Sequence, residues 1–324
     1  MARCVRVHET GGPEVLRCED VDLAAPGPGQ LRVAVRACGV NFIDTYHRSG
    51  LYPRPVPFGV GLEGAGRVEE VAPDVSDFQV GDRVAWASVP ASYADEVIAP
   101  ANLVVSVPDA VGDEIAAASM LQGMTAHYLT HGVRSTRAGD TALVHAAAGG
   151  TGLLLVQMLK AAGAYVIGTC SSEEKEQLAR GAGADRVIRY LDADVAAEVK
   201  RITGGRGVDV VYDGVGQSTI EGSIASLRAR GLLCSFGQSS GPVPPFDIAR
   251  LGHAGSLFLT RPSLFHYVAE REELEMRARE VLHAVADERL SIRIGARFPL
   301  EQAEDAHRAL QGRGTTGKVL LIPT

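Results

Sequence analysis

Leu31-Arg-Val-Ala-Val-Arg-Ala37 and Asp82-Arg-Val-Ala-Trp86 alternate apolar and polar side chains, the two-residue period of half-buried strands. Glycine and proline break these runs at Gly11-Gly12-Pro13, Pro26-Gly-Pro-Gly29 and Pro53-Arg-Pro-Val-Pro57. The chain up to about residue 110 therefore reads as β-rich, with the frequent turns of a small barrel or curled sheet.

From about Leu121 the rhythm changes to strand, glycine turn, helix. Thr141–Ala147 is a short apolar run, Gly149-Gly-Thr-Gly152 follows, and Leu153–Ala162 has helical length, with Gly163 at the C′ position. Next come a strand over Ala164–Thr169 and a helix capped at Ser171, with Glu174 three residues on. Arg186–Ile188, a helix near 192–202, Val208–Tyr212, a helix near 218–229 and Leu232–Phe236 continue the alternation. Such alternation predicts a doubly wound parallel sheet. A charged helix around Glu270–Glu288, another around Leu300–Gln311 and a strand Lys318–Ile322 form a return segment that could complete the first domain.

Composition narrows the classes. The 324 residues suit about two domains, are 46 % hydrophobic and 22 % charged, and carry a net charge of −7, which argues against nucleic acid as a partner. The N-terminal residues contain no apolar signal-peptide core, and the most apolar stretch, Ala142–Leu159, is broken by His145, Gln157 and glycines, so no membrane span is expected. The 5 cysteines form no C-x-x-C pair, the pattern of reduced thiols in a cytoplasmic protein.

Ala146-x-x-Gly149-x-x-Gly152 follows a strand and opens a helix, where small residues let the backbone approach a pyrophosphate and unpaired N–H groups meet its charge. A carboxylate at the end of the next strand would select NAD; Gly168-Thr-Cys-Ser-Ser172 with Lys175 offers hydroxyls and an ammonium instead, which suit the 2′-phosphate of NADPH.

Further blocks resemble one family closely. Ala37-Cys-Gly-Val-Asn-Phe-Ile-Asp-Thr-Tyr46, Arg48-Ser-Gly-Leu-Tyr52, Gly61-Leu-Glu-Gly-Ala-Gly66, Val144–Gly152, Phe236-Gly-Gln-Ser-Ser-Gly241 and Thr260-Arg-Pro-Ser263 are similar to the zinc-free quinone oxidoreductase (zeta-crystallin-like) branch of the medium-chain dehydrogenase/reductase superfamily, across essentially the whole chain. The resemblance implies an α/β fold: a GroES-like β-rich catalytic domain over 1–123 and 263–324, and a doubly wound Rossmann domain over 124–262. Where the zinc-dependent branch has a cysteine and a histidine ligand this chain has Asn41 and Leu62, and no cysteine lies between 38 and 170, so a metal-free enzyme is expected.

By the same resemblance Asn41, Tyr46 and Tyr52 would line the catalytic site, Tyr46 either donating a proton or only packing there. The cofactor contacts carried over are Asn41, Tyr46, Thr125, Gly149, Gly150, Thr151, Gly152, Ser171, Lys175, Tyr190, Phe236, Gly237, Ser239 and Arg313. Lys318 could also reach the site, although ordinary surface charge explains it equally well. Without a Lewis acid, hydride transfer suits an electron-poor acceptor: a quinone, or alternatively the double bond of an α,β-unsaturated aldehyde or ketone. A nonenzymatic NADPH-binding role, crystallin-like or RNA-binding, is the alternative from another class. The resemblance also implies a homodimer.

Four motifs are set aside. Gly237-Gln-Ser-Ser-Gly241 matches a nucleophile elbow but is followed by Pro242-Val-Pro-Pro245, and Gly312-x4-Gly317-Lys318 lacks the Ser/Thr and helix of a P-loop. His127 and His131 read as ordinary helix residues, and Arg271–Glu280 as a solvated helix face.

Overall fold

The computed structural model describes residues 1–323. Its contacts divide them into two compact units, Met1–Met124 with Val268–Thr324, and Thr125–Tyr267.

The first unit begins with β1 (Ala2–Val7), β2 (Leu16–Val21), β3 (Gln30–Val40), α1 (Phe42–Arg48), β4 (Phe58–Gly59), β5 (Glu63–Val71), β6 (Arg83–Trp86), β7 (Glu96–Pro100), β8 (Val104–Ser106) and most of α2 (Asp113–His127). After a π-helical segment Tyr128–Val133 come β9 (Thr141–Val144), α3 (Gly150–Ala161), β10 (Tyr165–Cys170), α4 (Glu173–Gly181), β11 (Arg186–Arg189), α5 (Val195–Ile202), β12 (Val208–Asp213), α6 (Ile220–Ser226), β13 (Leu227–Ser235), α7 (Ala249–His253), β14 (Phe258–Thr260) and α8 (Leu264–Tyr267). The first unit resumes with α9 (Arg271–Ala286), β15 (Ile294–Pro299), α10 (Ala303–Gln311) and β16 (Lys318–Ile322).

The first unit holds a 3-stranded sheet, β2-β1-β4, and a 7-stranded sheet, β15-β16-β3-β5-β6-β8, with β7 paired to β3. Its axis is β3. The alternation seen in sequence is real there: Leu31, Val33 and Val35 are buried in a core with Val5, Val68, Val84, Trp86, Val97 and Leu321. Beyond Ala37 the strand lies between neighbours, Gly39 pairing with Glu63 of β5 and with Leu320 of β16.

The second unit is a 6-stranded sheet ordered β11-β10-β9-β12-β13-β14, every pairing parallel. The order reverses between β9 and β12, and in such sheets ligands bind outside the carboxyl ends of the strands at that point. Leu143, Ile167, Val211 and Leu233 form its core with Val199, Ile220 and Ile224 of the covering helices. α3 ends as its sequence predicts: Gly163 takes φ 81°, and its N–H reaches Lys160 O at 2.9 Å.

Three expectations need correction. The cap of α4 is Ser172, not Ser171: Ser172 is the extended residue, and its Oγ accepts from Lys175 N. The helix expected near 218–229 stops at Ser226 and β13 starts at Leu227, because Leu227 already takes extended backbone at φ −73° and ψ 149°. The charged face of α9 is not wholly solvated, since Leu274, Arg277 and Ala278 are buried and Arg277 pairs with Glu273 one turn earlier. Among the described residues no helix is long and apolar enough to cross a membrane.

Candidate functional site

Each unit carries one group of the predicted site residues. In the first, Asn41 follows β3 and caps α1. Its N–H donates to Asp44 Oδ2 at 2.8 Å, the reverse half of a capping box. The Asn-x-x-Asp spacing was the sequence signal for α1, which the strand-rich pattern around it obscures.

The Asn41 side chain is fully engaged. Its Nδ2 donates to Glu63 Oε2 at 2.7 Å and Gly39 O at 3.2 Å, and its Oδ1 accepts from Lys318 Nζ at 2.8 Å and Gln122 Nε2 at 3.3 Å. The Lys318 ammonium also pairs directly with Glu63, whose other oxygen accepts from Leu121 N at 2.6 Å. One buried ion pair thus joins β5, β16, α2 and the Asn41 amide. A Cβ at position 39 would lie 2.2 Å from Glu63 Oε2, so any larger residue there would have to displace the ion pair. Surface charge is therefore the wrong reading of Lys318, whose side chain is 1 % exposed. Nothing in a single sequence marks a lysine as buried; its partner lies 255 residues away.

Behind α1 runs a second chain of buried groups. Asp44 Oδ2 accepts from the Tyr93 hydroxyl at 2.8 Å, that hydroxyl lies 3.2 Å from His307 Nε2, and His307 Nδ1 lies 3.3 Å from Arg48 Nη1. Arg48 can only donate. His307 Nδ1 therefore accepts, Nε2–H donates to Tyr93, and Tyr93 donates to Asp44. Burial pushes the Asp44 carboxyl up to about 7, against the pull of the Asn41 and Tyr93 donors. Burial, helped by Arg48, depresses His307 to about 3.

Tyr46, on α1, meets Tyr52 edge to face with ring centroids 5.3 Å apart. Both are partly buried, and Tyr52 N–H donates to Tyr46 O at 3.0 Å. Arg313 is exposed in the turn after α10 at φ 58°.

In the second unit the turn between β9 and α3 leaves no room for a side chain at Gly152. A Cβ on Gly152 would lie 2.2 Å from Ala146 O, so the loop folds back on itself at the helix start. Ala146 occupies the first position of the motif at φ 51°, the left-handed conformation glycine usually supplies. Gly149 caps α3, and Gly150, Thr151 and Gly152 form its first turn, whose N–H groups have no intrahelical acceptor. That is a cradle for an anion.

At the end of β10, Lys175 Nζ donates to Ser171 Oγ at 3.4 Å, which brings together the two residues assigned to a 2′-phosphate. Tyr190 follows β11, its N–H bonded to Cys170 O at 3.1 Å, and its side chain is exposed. Phe236, Gly237 and Ser239 leave β13 in a loop without helix, which excludes a nucleophile elbow. Thr125 is buried on α2. His127 and His131 stack with centroids 4.4 Å apart, and His131 Nδ1 is 3.1 Å from His127 O. Sequence reasoning missed His145, Ser223 and Asp213, which lie buried and bonded together beneath this turn.

Comparison with known proteins gives this geometry a class. Residues 27–132 match the alcohol dehydrogenase GroES-like domain and residues 150–280 the zinc-binding dehydrogenase domain. A quinone oxidoreductase of Pseudomonas aeruginosa is 46 % identical over all of both chains, and a 2-haloacrylate reductase of a Burkholderia species is 43 % identical over all of this chain and 99 % of its own. Among solved structures, Escherichia coli quinone oxidoreductase complexed with NADPH superposes with a TM-score of 0.97 at 42 % identity, covering all of both chains. A mycobacterial protein complexed with NADPH gives 0.96 at 48 %, again over all of both chains. The fold is that of the medium-chain dehydrogenase/reductase superfamily, and the chain belongs to its quinone oxidoreductase family.

Proposed function

We propose that this protein is an NADPH-dependent oxidoreductase that reduces a quinone by hydride transfer without a metal. The observation that carries the reading is the cradle at the start of α3, with Ser171 and Lys175 at the end of the neighbouring strand. The Gly149–Gly152 amides would hold the pyrophosphate, Ser171 and Lys175 the 2′-phosphate with Tyr190 near the adenosine, and Thr125 and the Phe236–Ser239 loop the nicotinamide half. Arg313 and Tyr46 are assigned to the cofactor as well. A carboxylate in place of Ser171 would repel the 2′-phosphate. The NADPH complexes of the E. coli and mycobacterial relatives support this assignment.

When bound, NADPH supplies a hydride; a quinone that takes it with one proton becomes a hydroquinone. The chain's own residues need only orient the acceptor, a positioning effect. Tyr46 and Tyr52 present ring faces and hydroxyls for this. Asn41 and Leu62 supply no set of zinc ligands. Asn41 acts as scaffold, because both its amide atoms are already bonded to Glu63, Lys318, Gln122 and Gly39.

The 2-haloacrylate reductase relative favours one second reading, reduction of an electron-poor C=C bond at the same site. Chelator-treated protein should oxidise NADPH faster with 1,4-benzoquinone than with a 2-alkenal or 2-chloroacrylate. The reverse order would move the activity to double-bond reduction, and no turnover with any of them would remove the enzymatic reading.

Two further proposals concern the protein's setting. All five cysteines are free thiols, four of them buried, which fits a cytoplasmic protein. β14 is the last strand of its sheet and exposes Phe258 (61 %) and Leu259 (39 %), an apolar edge that pairing with a second copy would cover. Sedimentation should find a dimer, and Leu259→Glu should dissociate it.

A further inference from the structure

At the carboxyl ends of β9, β10 and β12 four buried side chains form one string. Thr169 Oγ1 lies 3.1 Å from His145 Nδ1, His145 Nε2 lies 3.0 Å from Ser223 Oγ, and Ser223 Oγ lies 2.7 Å from Asp213 Oδ2. The direction of the string follows from its far end. Asp213 receives backbone N–H and hydroxyl donors on its other oxygen, so it acts as acceptor throughout. Ser223 therefore gives Asp213 its single hydroxyl proton and accepts from His145. His145 Nε2 must carry hydrogen, and Nδ1 is left to accept from Thr169. Burial holds the His145 pKa down, which keeps the ring neutral and this tautomer in place.

Asp213 is the group the string serves. Its Oδ1 accepts from Val215 N at 2.8 Å, Gly216 N at 3.0 Å and Thr219 Oγ1 at 2.9 Å, and its backbone carbonyl accepts from Phe236 N at 2.9 Å. The turn after β12 and the loop after β13 are then zipped together, Ser239 N to Gly214 O at 3.2 Å and Ser240 N to Val215 O at 2.8 Å. They touch so closely that a Cβ on Gly237 would lie 2.5 Å from Gly214 O. The carboxylate thus sets the course of the turn after β12, backbone bonds from that turn carry it to the loop after β13, and the serine and histidine behind the carboxylate set the carboxylate.

We propose that His145, Ser223 and Asp213 are positioning residues for hydride transfer, holding the Phe236–Ser239 loop in the one conformation that receives the nicotinamide half of the cofactor. This rests on the assignment of that loop to the nicotinamide half made above. Discrimination by the 2′-phosphate belongs to Ser171 and Lys175, so loss of the string should disturb catalysis and leave cofactor preference alone.

Ser223→Ala, His145→Phe and His145→Gln test this through kcat with 1,4-benzoquinone, the fluorescence of bound NADPH, and the ratio of Kd for NADH and NADPH. Ser223→Ala and His145→Phe each remove two of the string's three hydrogen bonds and should lower kcat about ten- to a hundredfold and alter the bound-NADPH emission, with the Kd ratio held within about twofold. His145→Gln, whose amide can donate to Ser223 and accept from Thr169, should recover most of the rate. Unchanged kcat in the first two variants overturns the inference. So does a joint fall in kcat and Kd ratio that glutamine does not rescue. The wild type is read first: if it fails to bind NADPH, or binds it without turnover, the proposed function falls and the inference with it.

Discussion

The ammonium of Lys318 and the carboxylate of Glu63 form an ion pair closed off from water, and the Asn41 amide bonds to both. Each charge depends on the other, since removing one leaves its partner buried and unpaired. Lys318→Met should therefore cost about 3–5 kcal/mol of stability. Lys318→Met combined with Glu63→Gln should recover much of that loss, because no lone charge remains. Urea denaturation of the single and double variants measures the coupling; a double variant as unstable as the sum of the singles would contradict it.

Gly152 faces Ala146 O too closely for any side chain. Gly152→Ala must push the β9–α3 turn outward, an overpacking cost of about 1–3 kcal/mol taken from the cradle itself. NADPH affinity, followed by fluorescence titration, should fall about ten- to hundredfold.

Lys175 is the ammonium next to Ser171 at the end of β10. A hydrogen bond to a charged group contributes about 1.5–3 kcal/mol, so Lys175→Ala should reduce the kcat/KM preference for NADPH over NADH by about ten- to hundredfold. An unchanged preference would place the 2′-phosphate elsewhere.

Asp44 and His307 give opposite slopes to stability against pH. The Asp44 pKa is raised from 3.8 to about 7, so the stability it adds is complete below 3.8 and is lost as pH rises through about 7. The His307 pKa is lowered from 6.5 to about 3, so its contribution is complete above 6.5 and is lost as pH falls towards 3. In the wild type the two partly cancel over the range they share. The Asp44 contribution and those of the depressed His47 and His145 are common to both proteins, so relative to the wild type the urea midpoint of His307→Gln should fall progressively as pH rises from about 4 to about 6.5. A midpoint difference that stays constant across that interval would show that His307 does not carry the shift.

The parts of this molecule legible in its sequence are those where local pattern and tertiary role coincide. The alternation over Leu31–Ala37 is the buried face of β3, and the Ala146–Gly152 spacing is the turn it resembles, because short-range sterics decide both. The α4 cap slipped by one residue because Ser171 and Ser172 have the same chemistry and only backbone conformation separates them. Helix α1 was hidden in a strand-rich stretch, although Asn41 and Asp44 cap it reciprocally. The Lys318–Glu63 pair and the string from Thr169 to Asp213 were illegible for another reason. They join residues on different strands and helices, and a lysine or histidine reads the same in sequence whether it faces water or a buried partner.

The division of the first unit across the chain bears on how the protein is made. β16 lies between β15 and β3 in the 7-stranded sheet and brings Lys318 to Glu63, yet all of Thr125–Tyr267 is translated before it. On the ribosome the parallel-sheet unit can finish folding as soon as its own residues emerge. The β-rich unit must wait with the β3 edge uncovered and Glu63 without its counter-charge. During synthesis the aggregation risk therefore lies with the half of the molecule that comes out first.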